Sequence, residues 1–423
     1  MSSKNIFGNA LPARVPFYYG WVVLIFAAVA MVATLPGRSV GIGLITEPLI
    51  ADLGISRLDF ARMNFWATIF GALFNLVCGI TIDRFGVRAV VTAVLFVLSA
   101  VVLGFSQVAG AGFLLLLLVL MRGVGQSALS VVSLTMVGKW FVRRLSVAMG
   151  IFAVLMSLGF AVAIVVAGDV VLKQGWRVMW SGLGWILMVL SGLCLLFVRR
   201  DPEAVGLDTE VVKGDESQEP VIGFTLVQAL MTPAFYVFAV GSALYNLVIA
   251  GVMLFNQSIL GELGFDETVF QYAMAVFMAT GLLGNFTAGW AARRWSLGRL
   301  MTIAMLAVGV YLLAFPQLKT PGQALVHAGL LGFSGGVVSV IFFTAWADIF
   351  GRLHLGKIQG AAQVFAVLAS ATGPLFIESV FSSAGTYAPA FYALAPAVLL
   401  VAIFAYFVNI PRPEDAGIKR VCV

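Results

Sequence analysis

Apolar residues in this chain come in long blocks separated by short polar stretches, and the blocks lack the period-two alternation of a half-buried strand. Near-continuous runs such as Val90–Leu103 and Phe113–Met121 read as helix, and the segments that contain them are long enough to cross a hydrocarbon core of about 30 Å. The pattern predicts twelve spans, at roughly 17–49, 60–82, 88–108, 111–138, 146–171, 177–198, 232–258, 268–292, 299–316, 323–348, 358–381 and 389–410. The first span contains Pro36 and Gly37 and is expected to kink there. The leader at 1–16 lacks the order of charged, apolar and small-residue regions that marks a cleavable signal, so span one is expected to direct insertion.

One extended polar stretch, Asp201–Glu219, interrupts the apolar blocks and reads as a linker. The expected organisation is a cytoplasmic leader at 1–16, a six-helix bundle at 17–199, a linker at 200–225, a second six-helix bundle at 226–410 and a cytoplasmic tail at 411–423. The fold class is an all-α polytopic membrane protein.

Composition agrees with that reading: of 423 residues 61% are apolar and only 10% charged, against about 25% charged in soluble domains. The net charge of +6 is a topology signal, because placing the N-terminus inside puts most of the 25 Lys and Arg residues on the cytoplasmic side. A nucleic-acid partner would need those charges clustered on one soluble face. Cys78, Cys194 and Cys422 are too scattered for a disulfide framework or a zinc site, and His327 and His354 lie far apart. No metal or cofactor is expected. The chain has no GxxxxGK[ST] phosphate loop and no nucleophile–base constellation in the spans, which argues against an ATP-driven pump and against an enzyme.

The connection after span two reads Gly79-Ile80-Thr81-Ile82-Asp83-Arg84-Phe85-Gly86-Val87-Arg88, and a degraded copy, Gly289-Trp290-Ala291-Ala292-Arg293-Arg294, follows span eight. Repetition at half-chain period is common in secondary transporters, whose two bundles alternate access to a central site. These motifs and the six-plus-six layout make nearly the whole chain resemble the major facilitator superfamily. The resemblance implies two six-helix pseudo-repeats and a cytoplasmic latch formed by Gly79, Asp83, Arg84, Gly86 and Arg88, with Arg293 and Arg294 at the second copy. There the acid position is held by Arg293, so that latch must differ.

Tyr18-Tyr19-Gly20-Trp21-Val22-Val23 opening span one, Trp140-Phe141-Val142-Arg143-Arg144 closing span four, and Gly373-Pro374 in span eleven resemble the monocarboxylate and oxalate type branch. That resemblance puts Arg38 in a candidate substrate position. The eighth-span acid and arginine of the eukaryotic members are replaced by Gly281 and Asn285, neither of which carries charge. The stretch Thr34–Gly71 also looks like a bacterial facilitator subgroup that includes a magnetosome protein thought of as an iron transporter for magnetite formation.

Arg122 is the strongest candidate inside the membrane. A guanidinium at mid-bilayer costs about 2.5–3.5 kcal/mol on insertion scales, so it should face a watery cavity or a partner. Gln126 follows it at the spacing of one helical turn. Asn256, Asn285 and Gln363 are further candidates for substrate binding or coupling, although each can equally serve as interhelical glue. Asp169, near the end of span five, and Glu378, near the end of span eleven, are candidates to accept a proton or help bind a cation, and water access at the interface would also explain them.

The expected function is secondary active transport of a small anionic or complexed solute across the bacterial inner membrane, with proton symport as the expected coupling. The protein is expected to act as a monomer in the lipid bilayer, with both termini cytoplasmic. A magnetosome iron carrier, and a receptor or assembly factor on the same scaffold, are the alternatives.

Overall fold

The computed structural model describes residues 18–141, 145–200, 224–351 and 354–411. The leader at 1–16, nearly all of the linker at 200–225 and all but the first residue of the tail at 411–423 lie outside them. In chain order the α-helices are α1 (Gly20–Val32), α2 (Ser39–Gly43), α3 (Thr46–Leu53), α4 (Arg57–Ala72), α5 (Phe74–Ser106), α6 (Ala111–Leu120), α7 (Leu129–Trp140), α8 (Leu145–Gln174), α9 (Trp176–Phe197), α10 (Leu226–Leu230), α11 (Pro233–Glu262), α12 (Glu267–Ala291), α13 (Leu297–Ala314), α14 (Pro321–Phe350), α15 (Leu355–Ala384) and α16 (Ala388–Phe407). Among the described residues, twelve segments are long and apolar enough to cross a membrane, as the hydrophobic pattern predicts. The protein is an all-α polytopic membrane protein.

Three departures from uniform helix fall within the first four spans and their connections. The first span is broken, not merely kinked: α1 stops at Val32, a 3₁₀ turn runs Leu35–Gly37, and the chain restarts as α2 and α3. Pro36 has no N–H to continue an α-helical ladder, which accounts for the stop. The fourth span is continuous over Ala111–Trp140, but Met121–Ala128 is wound as π-helix. Gly123 and Gly125 within it are weak α-formers, and π segments are typically short insertions of this kind. α5 carries the end of the second span and the whole of the third, broken at Gly86, whose φ of 79° and ψ of 160° no helix contains.

Packing divides the chain into two compact units. The first comprises 1–45 and 70–215, the second 46–69 and 216–423. In the first, the second arm of α5 packs along α9: the Ser99 hydroxyl donates to Gly184 O (2.8 Å) and the Ser191 hydroxyl to Thr92 O (2.9 Å). The aromatic motifs that open span one and close span four meet here, with Trp21 and Phe141 rings 4.9 Å apart and Tyr19 and Trp140 rings 5.8 Å apart. In the second unit the backbones approach through glycine. A methyl group at Gly284 would lie 2.2 Å from Phe333 O, joining α12 to α14, and one at Gly373 2.1 Å from Leu247 O, joining α15 to α11.

Candidate substrate site

The broken first span and the π segment of the fourth come together in the first unit. A Cβ on Gly37 would stand 2.4 Å from Met121 O and 2.6 Å from Gln126 N, so only glycine lets the 3₁₀ turn lie directly on the π segment. That contact places two arginines. Arg122, 2% exposed, donates to Gly37 O (3.1 Å), Gln126 Oε1 (2.8 Å) and Ser39 Oγ (3.1 Å). Arg38, half-buried, donates from Nε to Thr34 Oγ1 (2.6 Å) and from its fork to Ser130 Oγ (3.3 Å), with its guanidinium 5.2 Å from the Phe160 ring centroid. The charge of Arg38 acts on Arg122, so two like charges share one apolar bundle. Neutral oxygens and an aromatic face hold Arg38 in place without neutralising it.

The Arg122–Gln126 pair expected from the sequence is present as a hydrogen bond. Thr34, Ser39 and Ser130 complete the surroundings and carried no sequence signal, since isolated hydroxyl residues occur throughout the spans. Asn256, Asn285 and Gln363 belong to the second unit. Asn256 is buried and donates to Met274 Sδ (3.4 Å), beside the point where α11 leaves helical geometry at Phe255. Asn285 is half-buried on α12 and Gln363 is exposed on α15.

At the glycine-rich turn, Arg88 donates twice to Leu195 O (2.7 and 3.1 Å) and so caps the C-terminus of α9 within the first unit. Tyr19 OH (to Phe197 O, 2.6 Å) and Arg199 (to Leu196 O, 2.7 Å) satisfy neighbouring carbonyls. Arg84 is exposed beside the Phe85 ring, and a side chain at Gly86 would meet Arg200, whereas one at Gly79 would meet nothing. The side chain of Asp83 lies outside the described residues. Arg293 and Arg294 are both exposed after α12, and the Arg294 guanidinium lies 4.7 Å from the Trp290 ring centroid.

The acids separate clearly. Asp169 is exposed and paired with Lys173 at 2.7 Å, one helical turn on. Glu378 is 3% exposed, so contact with water does not account for it. Glu47 pairs with Arg57 at 2.6 Å in the second unit. Among the described residues no group of three or more His, Cys, Asp and Glu could hold a metal ion.

Twelve membrane-spanning helices that hold a buried Arg122 beside a half-buried Arg38 make a polytopic membrane protein with a polar centre. The chain belongs to the Major Facilitator Superfamily, whose model matches residues 23–262 and 238–421. It is similar to a hexuronate transporter of Bacillus subtilis (strain 168), 23% identical over 367 residues that cover 82% of this chain and 85% of the relative. It is also similar to the agnestins efflux protein AgnL12 of Paecilomyces divaricatus, 24% identical over 332 residues, 77% of this chain and 72% of that one. Among solved structures, a bacterial homolog to the human lysosomal transporter Spinster in an inward-facing, occupied conformation shares the fold, with a TM-score of 0.68 at 14% identity, covering 94% of this chain and 98% of that one. The unoccupied inward-facing form gives 0.66 at 15% identity, covering 92% and 95%.

Proposed function

We propose that this facilitator is a secondary active transporter of a small organic anion, and that Arg38 and Arg122 read the anion's charge. The observation that carries the proposal is the meeting of two arginine side chains at the broken first span, within membrane-spanning segments. Burying like charges together is unfavourable, and an anion offering a planar carboxylate offsets that cost through charge-assisted hydrogen bonds. The hydroxyls of Thr34, Ser39 and Ser130 and the amide of Gln126 suit a solute that also carries hydroxyl groups. The hexuronate transporter among the relatives makes a sugar acid the first solute to try.

Transport proceeds by alternating access of the two pseudo-repeats, with Asp83, Arg84, Arg88, Arg293 and Arg294 serving as latch residues during the cycle. The carrier works as a monomer in the bacterial inner membrane with both termini in the cytoplasm. The magnetosome reading of residues 34–71 gains no support from the relatives, and no metal-binding cluster within the described residues favours it.

The test is uptake of labelled D-glucuronate into vesicles reconstituted with the full-length protein, beside neutral D-glucose. Saturable glucuronate uptake that vanishes in Arg122→Gln supports the reading. Glucose carried equally well, with no effect of Arg122→Gln, would remove the anion-reading role, and absence of any flux would favour the receptor or assembly-factor alternative.

A further inference from the structure

The second unit holds a buried carboxyl group that the arginine pair does not explain. Glu378 on α15 accepts a hydrogen bond at Oε2 from Tyr387 OH (3.2 Å), and that phenol is in turn 3.0 Å from the Ser258 hydroxyl on α11. The Tyr387 ring is fixed by stacking on Phe381, centroids 4.2 Å apart. Burial pushes the Tyr387 phenol above its ordinary range, so it stays a neutral hydroxyl.

One turn beyond Ser258, Glu262 accepts from the Thr386 hydroxyl and from Tyr387 N (3.0 Å), tying α11 to the start of α16. Glu262 is exposed and has a structural task. Glu378 has neither a helix terminus to cap nor a cation bonded to it. The charges that reach it are Arg57 of α4 and Glu47 of α3, and those two are bonded to each other at 2.6 Å. α15 contributes only Lys357 besides, near its other end, and α16 has no charged residue.

We propose that Glu378 is a proton-binding site of the second unit, loaded and unloaded through Tyr387 and Ser258, whose ionisation draws Arg57 away from Glu47. The proposal rests on the transport reading for its purpose, though not for its chemistry. As a neutral acid the group needs no cation. As a buried carboxylate it is unfavourable unless a cation approaches, and Arg57 is the one within electrostatic reach. The step makes and breaks only O–H bonds: the carboxylate takes a proton from water by way of the two hydroxyls, of which Ser258, half-buried, is more exposed than the buried Tyr387. Loading therefore leaves the Arg57–Glu47 bond intact, and unloading weakens it, which gives a proton a means of moving residues 46–69 against the helix ends of their own unit.

Infrared difference spectroscopy of the purified full-length protein, stepped from mildly acidic to mildly alkaline pH, tests this directly. A titrating protonated-carboxyl band is expected in the wild type, lost in Glu378→Gln, kept in Glu262→Gln and displaced in its midpoint by Tyr387→Phe. Thermal unfolding confirms that each variant is folded. A band that survives Glu378→Gln, or the lack of any titrating band, would overturn the assignment.

In the glucuronate vesicles, Glu378→Gln is expected to lose uptake driven by a pH gradient while keeping counterflow exchange. Equal gradient-driven uptake in the variant would also overturn it. Absence of wild-type flux would count against the transport reading, and the infrared band alone would then decide the proton site.

Discussion

At the scale of single residues, the guanidinium groups are set by geometry more than by charge. Arg38 uses Nε and one terminal nitrogen on separate hydroxyls while its guanidinium carbon lies over the Phe160 ring, an arrangement that an ammonium cannot reproduce. Arg38→Lys is therefore expected to weaken glucuronate affinity by roughly ten- to hundredfold, the equivalent of one charge-assisted hydrogen bond worth about 1.5–3 kcal/mol, while leaving thermal stability nearly unchanged. Equal affinity in competition binding would mean that Arg38 supplies charge alone. Arg122 and Gln126 were legible in the sequence because a costly residue at mid-span demands a reason and the spacing of four supplies a partner. Glu378 was legible as an acid but not as a buried one, since its position near a span end suggested water. In the structure it is buried, with the phenol of Tyr387, the residue before α16, bonded to its carboxyl group.

Elements add a second level, where regular helix gives way. The 3₁₀ turn, the π segment and the break at Gly86 all involve glycine, yet glycine matters for a different reason at each. Gly86 occupies a backbone region that only glycine adopts readily, so Gly86→Ala is expected to lower stability by about 1–3 kcal/mol. Gly79, in the same motif, faces open space within a regular helix, so Gly79→Ala is expected to be neutral or slightly stabilising. Thermal unfolding of the two variants in detergent measures the contrast, and equal losses would show that the motif's glycines act alike. The sequence placed a kink in span one at Pro36 and Gly37, because proline removes a donor, and the structure turns that kink into a full break. It carried no signal for the π winding, in which Gly123 lies against Phe74 and Gly125 against Gly37.

For the whole molecule, hydrophobic length and the positive-inside bias make a prediction that needs no site. A reporter fused after Val423 is expected to read as cytoplasmic, and so is one fused before Met1; a periplasmic signal from either would invert the assigned topology. Twelve spans, the half-chain repeat and membership of the superfamily followed from the sequence alone, because a bilayer forces every backbone donor and acceptor to be satisfied within helices and so ties span number to apolar length. Tertiary structure decided what polar side chains do inside those helices. Hydrogen bonds to Gly37 O and Ser39 from a residue more than eighty positions away, or a phenol joining Ser258 to Glu378, depend on which helix faces meet. In lipid every outward face is apolar, so periodicity scarcely marks the inward one, and only close backbone packing brings these groups within reach of each other.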